Sequence, residues 1–263
     1  MRLISLCPSL TELLFDLGVG EAVVGRTKFC IHPEGMVERV ERMGGTKNPK
    51  IDRIVERAPD IVFMNEEENR REDADALRAR GIRVHASLPR TPEETAAMVR
   101  SIAAAVERNE AGDRIARQIE AGAARVRAAS AEAGRRVTYA YLIWRDPWMT
   151  INDDTFVAEM LKLPGGANVF GTAAERYPSL TALELANARP DVVLLSTEPF
   201  PFAERHIDEL AAATGLEREK FRIVDGELLS WHGSRTPLGI AYAEEVLASV
   251  AQRSVAPAAD SRG

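Results

Sequence analysis

Cysteine is scarce in this sequence, with two among 263 residues, Cys7 and Cys30. Two thiols cannot build the several-bridge framework that staples small secreted domains, and a chain this long buries enough apolar surface without one. The pair is left open as a bridge, as metal ligands or as buried thiols. Aromatic residues make up only 6% of the chain, with three tryptophans. No stretch approaches the roughly 20 apolar residues of a membrane span, which excludes direct helical insertion into a membrane. The formal net charge of -6 argues against a nucleic-acid partner. Enzyme signatures are missing: there is no Gly-x-Ser-x-Gly, no glycine-rich phosphate loop and no His-Glu-x-x-His. The chain is therefore read as a binding protein without catalytic residues or a required cofactor. The opening, Met1-Arg2 followed by Leu3-Ile4-Ser5-Leu6 and Cys7-Pro8, has neither an apolar signal core nor a small residue before the cysteine. As written, the expectation is a cytoplasmic chain, or a periplasmic or extracytoplasmic one if the true start lies upstream.

What the chain has is a phrase written twice. Ala58-Pro59-Asp60-Ile61-Val62-Phe63-Met64-Asn65-Glu66-Glu67 returns, 131 residues later, as Arg189-Pro190-Asp191-Val192-Val193-Leu194-Leu195-Ser196-Thr197-Glu198. The surroundings repeat as well. Strand Arg2 to Leu6, helix Leu10 to Leu17 capped by Ser9 and stopped by Gly18, and short strand Val23-Val24 open the first half. Strand Val137 to Trp144, helix Phe156 to Leu163 stopped by Pro164-Gly165-Gly166, and Asn168-Val169-Phe170 open the second. Each half adds one more strand, Ile82 to His85 and Phe221 to Val224. Strands alternating with helices imply α/β units with mostly parallel sheets. Between the halves, about Pro92 to Arg135 reads as one long helix with Thr91 as N-cap and Pro92 at its first position. Asn109 to Gly112 are the candidate kink or break. The expected architecture is two similar lobes, each a mostly parallel sheet flanked by helices, with a cleft between them and one long backbone helix joining them. The corresponding segments are an N-terminal lobe over 1–90, a linking helix over 91–135, a C-terminal lobe over 136–253 and a disordered tail over 254–263.

Ligands of parallel α/β sheets lie outside the carboxyl ends of the strands, so the residues after each strand are the candidates. The first half offers Lys28, Phe29, Cys30, Ile31 and His32 after its second strand, and Asn65 and Glu66 after the Pro-Asp strand. The rest of the run Glu66 to Asp73 reads as a solvated helix start. The second half offers Trp144, Arg145, Trp148, Tyr177, Glu198, Trp231, His232 and Arg235. Trp148 and Trp231, with Trp144, are expected as walls for a large flat ligand, the alternative being that they seal the lobe. Arg145 and Arg235 suit ligand carboxylates or phosphate, the alternative being salt bridges between lobes. Cys30 and His32, joined by His232, are candidate metal ligands. The alternative for Cys30 and His32 is a nucleophile and its base in an enzyme. His85 and His206 read as an ordinary strand-end histidine and a helix-surface histidine.

These residues resemble a known family. Ser5-Leu6-Cys7-Pro8-Ser9-Leu10-Thr11-Glu12-Leu13, Ile51-Asp52-Arg53-Ile54-Val55, Gly81-Ile82-Arg83-Val84, Gly165-Gly166-Ala167-Asn168-Val169-Phe170 and both Pro-Asp phrases are similar to the helical-backbone substrate-binding proteins of ABC importers, most of all to the vitamin B12-binding type. The likeness covers essentially residues 2–250. It implies a small-molecule ligand (a corrinoid such as cobalamin, an iron-siderophore or haem) held between the lobes of a monomer. It also implies a permease partner met through one surface glutamate per lobe, with Glu72 and either Glu204 or Glu209 in plausible regions. The alternative use of the same lobes is a cytoplasmic binder or sensor with no permease. Phe29 to Pro33, Asn65 to Arg70, Trp144 to Trp148 and Leu229 to Arg235 depart from the common pattern and look like a subgroup's own cleft.

Overall fold

The computed structural model describes residues 1–134 and 136–253. The expected tail, 254–263, and Arg135 lie outside the described residues. The chain divides into two compact units, Met1–Glu120 with Trp231–Thr236, and Ala121–Ser230 with the chain from Pro237 onward.

The first unit runs β1 (Leu3–Ser5), α1 (Pro8–Asp16), β2 (Val23–Arg26), α2 (Ile51–Glu56), β3 (Ile61–Asn65), α3 (Arg71–Arg78), β4 (Arg83–Ser87), α4 (Pro92–Ala105) and the start of α5 (Asn109–Ala133). Its four strands are all parallel, in the order β2-β1-β3-β4. The two central strands are buried on both faces, which is why they read as unbroken apolar runs rather than as alternation. Ile4, Leu6, Met43, Ile54, Val62, Met64 and Leu77 close one side of the sheet.

The second unit takes up the rest of α5 and continues β5 (Val137–Trp144), β6 (Trp148–Thr150), α6 (Phe156–Lys162), β7 (Gly166–Asn168), β8 (Ser179–Leu180), α7 (Ala182–Ala188), β9 (Val192–Ser196), α8 (Glu204–Thr214), β10 (Phe221–Val224), α9 (Gly226–Ser230) and α10 (Thr236–Arg253). Its parallel part is β7-β5-β9-β10, the order of the first sheet repeated element for element. An antiparallel extension, β6 then β8, is added on the β5 side. The strand expected at Asn168 to Phe170 lies two residues earlier, where Val137, Thr138 and Tyr139 pair with Gly166, Ala167 and Asn168.

The repeated Pro-Asp phrase has one structural task in both copies. Asp60 N–H donates to the Arg2 carbonyl at 2.8 Å while its carboxylate accepts from Arg2 N–H at 2.6 Å. Asp191 N–H donates to the Thr138 carbonyl at 3.0 Å while its carboxylate accepts from Thr138 N–H at 2.8 Å. Each aspartate thus clamps the start of the central strand and sets the register, Leu3 beside Ile61 and Tyr139 beside Val192. The residue before each proline is left-handed, Ala58 at φ 43° and Arg189 at φ 47°, so the preceding helix stops sharply.

Two helix ends differ from expectation. Helix α1 begins at Pro8 with Cys7 as its N-cap residue, not at Leu10 with Ser9 as cap. Proline suits a first helical position, where its missing N–H is no loss. The long helical segment is two helices: it breaks at Val106–Arg108, with Glu107 left-handed at φ 58°, a few residues before the expected kink. Gly112 is a packing site, since a Cβ there would fall 2.2 Å from the Ala103 side chain. Helix α5, 25 residues and roughly 37 Å at 1.5 Å per residue, is the long backbone helix. Thr91 caps α4 as expected, accepting from Glu94 N–H at 3.1 Å. Among the described residues no helix is long and apolar enough to cross a membrane.

Candidate functional site

In the first unit the loops after β1, β2 and β3 meet the segment Trp231–Thr236, which belongs to this unit although it lies between α9 and α10 in sequence. The Asn65 side chain closes the turn after β3, its Oδ1 accepting from Glu67 N–H at 2.9 Å and Glu68 N–H at 3.0 Å. Those two donors fix the amide orientation, so Nδ2 is the atom that faces His232 Nε2 at 3.2 Å. An amide nitrogen only donates. His232 Nε2 therefore accepts, and the imidazole is neutral with its proton on Nδ1. Burial favours the same state, pushing the His232 pKa down to about 4. Ser9 Oγ lies 3.5 Å from the same nitrogen.

Trp231 is 7% exposed, with the His32 ring edge-on at 5.5 Å and the Arg235 guanidinium 5.1 Å from its ring centre. Trp231, expected as a ligand wall or as a seal of the lobe, is a buried ring packed on His32 and Arg235. Arg235 forms a fork with Glu12 at 2.9 and 2.6 Å, both partners in the first unit. Asn69 donates to the Leu6 and Thr46 carbonyls, both at 2.9 Å, and Glu66 stays exposed.

Cys30 is 1% exposed, with its Sγ 3.0 Å from Thr11 Oγ1 and 3.2 Å from Thr27 Oγ1. Burial raises its thiol pKa, the opposite of what a nucleophile or a metal-binding thiolate needs. Cys7 is buried beside Ser9, at 3.4 Å, and burial pushes its thiol up to about 12. Cys30 is thus engaged by threonines, His32 by Trp231 and His232 by Asn65. No group of three or more His, Cys, Asp or Glu side chains is gathered for a metal ion among the described residues.

In the second unit the loops after β5 and β9 build an aromatic cluster. Trp148 is stacked on Phe202 at 6.2 Å and 16°, Phe200 meets Phe202 at 4.8 Å, and Trp144 meets Phe200 edge-on at 5.8 Å. Trp144 is 41% exposed and forms the outer rim, with Trp148 half-buried behind it. Arg145 lies 5.8 Å over the Trp148 ring and forks onto Glu209 at 3.0 and 2.9 Å. This ion pair, like that of Arg235, is internal to one unit. Glu198 is half-buried and its N–H donates to Ser196 Oγ at 3.2 Å. Tyr177 is half-buried under Arg176 and packs against the unit's core.

The sequence reading did not single out Phe202, which completes the cluster. Its signal was the alternation Pro199-Phe200-Pro201-Phe202. His206 is also not the surface histidine expected. It is 4% exposed against Phe200 and Phe202, and its Nδ1 accepts from Ala203 N–H at the start of α8.

The chain is thus two α/β units of one repeated topology, with aromatic and ion-paired loops at the strand ends. Residues 3–220 match the family model described as periplasmic binding protein. The chain belongs to the periplasmic binding protein family. It is 24% identical over 205 residues to the vitamin B12-binding protein of Vibrio campbellii, spanning 78% of this chain and 71% of that one. Among solved structures it is similar to the periplasmic vitamin B12 binding protein of Vibrio cholerae (TM-score 0.82, 20% identity, 95% of this chain and 98% of that one). It is equally similar in fold to the periplasmic heme-binding protein of Roseiflexus sp. RS-1 in apo form (TM-score 0.81, 23% identity, 95% and 98%).

Proposed function

We propose that this chain captures a metal-bearing chelate with a broad apolar face, a corrinoid before an iron-siderophore or haem, for uptake through an ABC-type permease. The observation that carries the reading is the aromatic rim of the second unit, where Trp144 is left exposed against Phe200 in the cluster that also holds Phe202 and Trp148. Exposed aromatic area at the carboxyl ends of parallel strands suits a large flat ligand. Relatives named for vitamin B12 and solved structures named for vitamin B12 and heme support the same chemical class. In this reading the strand-end loops of the second unit supply the contacts, and Arg145 exchanges Glu209 for an anionic group of the ligand. Ligation of the metal by Cys30, His32 or His232 is not part of the reading, because each side chain already has an internal task. Glu72 on α3 and Glu204 on α8, both exposed, are the proposed permease contacts, and work outside the cytoplasm belongs to the same proposal. The test follows tryptophan fluorescence while cyanocobalamin is added. The reading expects saturable quenching, and at least tenfold weaker binding in Trp144→Ala, about 1.4 kcal/mol. Equal affinity in the variant would remove the rim from the site.

A further inference from the structure

Helix α8 starts without the usual side-chain cap. Its N-cap residue is Ala203, which has no side-chain oxygen to offer the first-turn N–H groups. The Ala203 N–H is taken by His206 Nδ1 at 2.9 Å. This is the position from which a glutamate or glutamine reaches back in a capping box. His206 N–H donates in turn to the Ala203 carbonyl at 2.8 Å, and Phe202 N–H donates to the Phe200 carbonyl at 2.8 Å. A backbone N–H only donates, so His206 Nδ1 is unprotonated and the neutral ring carries its proton on Nε2.

A glutamate would cap the helix equally well. What the imidazole adds is a ring. It stands edge-on to Phe200 at 5.2 Å and to Phe202 at 5.5 Å. Those two rings back the tryptophans, Phe202 stacked on Trp148 and Phe200 against Trp144. His206 and Phe202 are each 4% exposed. One side chain thus ties the start of α8 to the two phenylalanines beneath the aromatic rim.

Charge on this ring is incompatible with its place. An imidazolium has no acceptor nitrogen and cannot take the Ala203 N–H. It would also set a cation at the positive end of the α8 dipole. The charged groups around it are Arg205 and Glu209 on α8 and Arg145 from the loop after β5, and Glu209 is already forked by Arg145. Burial first, then Arg205 and Arg145, hold the His206 pKa below the ordinary 6.5.

We infer that His206 is the positioning residue of the aromatic rim: neutral, it holds Phe200 and Phe202 behind Trp144 and Trp148; protonated, it releases them, and ligand affinity falls in mild acid. The inference rests on the proposed function and involves side chains of the second unit alone. The binding form is the neutral one, so affinity is full above about pH 6.5 and is lost as pH falls through the lowered pKa.

The experiment titrates the full chain with cyanocobalamin by absorbance, from about pH 7.5 to about pH 5 at constant ionic strength. The wild type is compared with His206→Gln, which keeps an acceptor for Ala203 N–H without a titrating ring, and with His206→Phe, which keeps a ring without an acceptor. Each protein is melted thermally, and its tryptophan emission without ligand is recorded over the same pH range. Wild-type affinity should fall at least about fivefold across the range, because a site that needs a neutral histidine loses about tenfold per pH unit below its pKa. His206→Gln should stay within about threefold of the neutral wild type at every pH. His206→Phe should bind at neutral pH as weakly as the wild type does in acid, with no further decline. Wild-type emission should shift in acid and that of His206→Gln should not, the comparison cancelling the contribution of Trp231. A merely structural histidine would lower the melting temperature of both variants and leave the pH profile of affinity as in the wild type, which overturns the positioning role. Wild-type affinity unchanged down to about pH 5 overturns it as well. No binding of cyanocobalamin by the wild type at neutral pH counts against the proposed function, and the emission profiles then decide the inference: an acid shift lost in His206→Gln upholds the hold of His206 on the rim, and parallel profiles overturn it.

Discussion

His232 is the residue whose state is most tightly specified by its neighbours. Two backbone donors turn the Asn65 amide, and the amide in turn demands an unprotonated imidazole nitrogen. Its folded pKa of about 4 lies below the ordinary 6.5, so the unfolded chain binds this proton first as pH falls. The stability it contributes is therefore complete above about pH 6.5 and is lost progressively toward pH 4, about 3 kcal/mol in all. Urea midpoints of the wild type should decline over that window more steeply than those of His232→Gln. Parallel profiles would show that the imidazole does not carry the effect. The Arg235–Glu12 fork has side chains only 16% and 17% exposed. Glu12→Gln should leave a half-buried guanidinium poorly paired and cost about 2 kcal/mol by chemical denaturation. A loss under about 0.5 kcal/mol would place the pair among surface bridges of little worth.

At the scale of elements, the informative feature is the clamp that each Pro-Asp aspartate places on the first strand of its own unit. It was legible in the sequence as a repeated phrase, because two strands facing the same register problem keep the same solution. Asp60→Ala and Asp191→Ala each strand an N–H at a strand start, and each should cost about 1–2 kcal/mol. A change in only one of the two would mean that the repeat is not equivalent in energy. The break between α4 and α5 was less legible. Val106-Glu107-Arg108 carries neither glycine nor proline, and the turn is held by packing of Gly112 on Ala103 and by the Arg100 fork onto Asp113 and Glu120. These are contacts between two neighbouring helices, which the periodicity within either helix does not report. Gly112→Leu should drive a side chain into Ala103 and lower the melting temperature by several degrees. An unchanged melt would show that the two helices separate freely.

For the molecule as a whole, the α/β class, the equivalence of the two sheets and the family were written in the order of elements and in the repeated strings. The site was legible only as a set of loops. Strand ends told where Trp144, Arg145 and Trp148 would gather, since P-F-P-F and W-R-D-P-W sit just past β9 and β5. Composition could not tell that Trp231 is buried, that Cys30 anchors a loop, or that both arginines already hold carboxylates. Those outcomes depend on which side chain fills which space once the loops meet, and Trp231–Thr236 joins the first unit from a distant part of the chain. The central claim is that this family member binds a corrinoid or a related metal-bearing chelate. Its most direct test is titration of the purified full chain with cyanocobalamin, hemin and a ferric siderophore, followed by absorbance and calorimetry. The account predicts one-to-one binding of one of them with a Kd below about 10 µM, a free energy of about -7 kcal/mol or better. No saturable binding of any of the three at that level would contradict it.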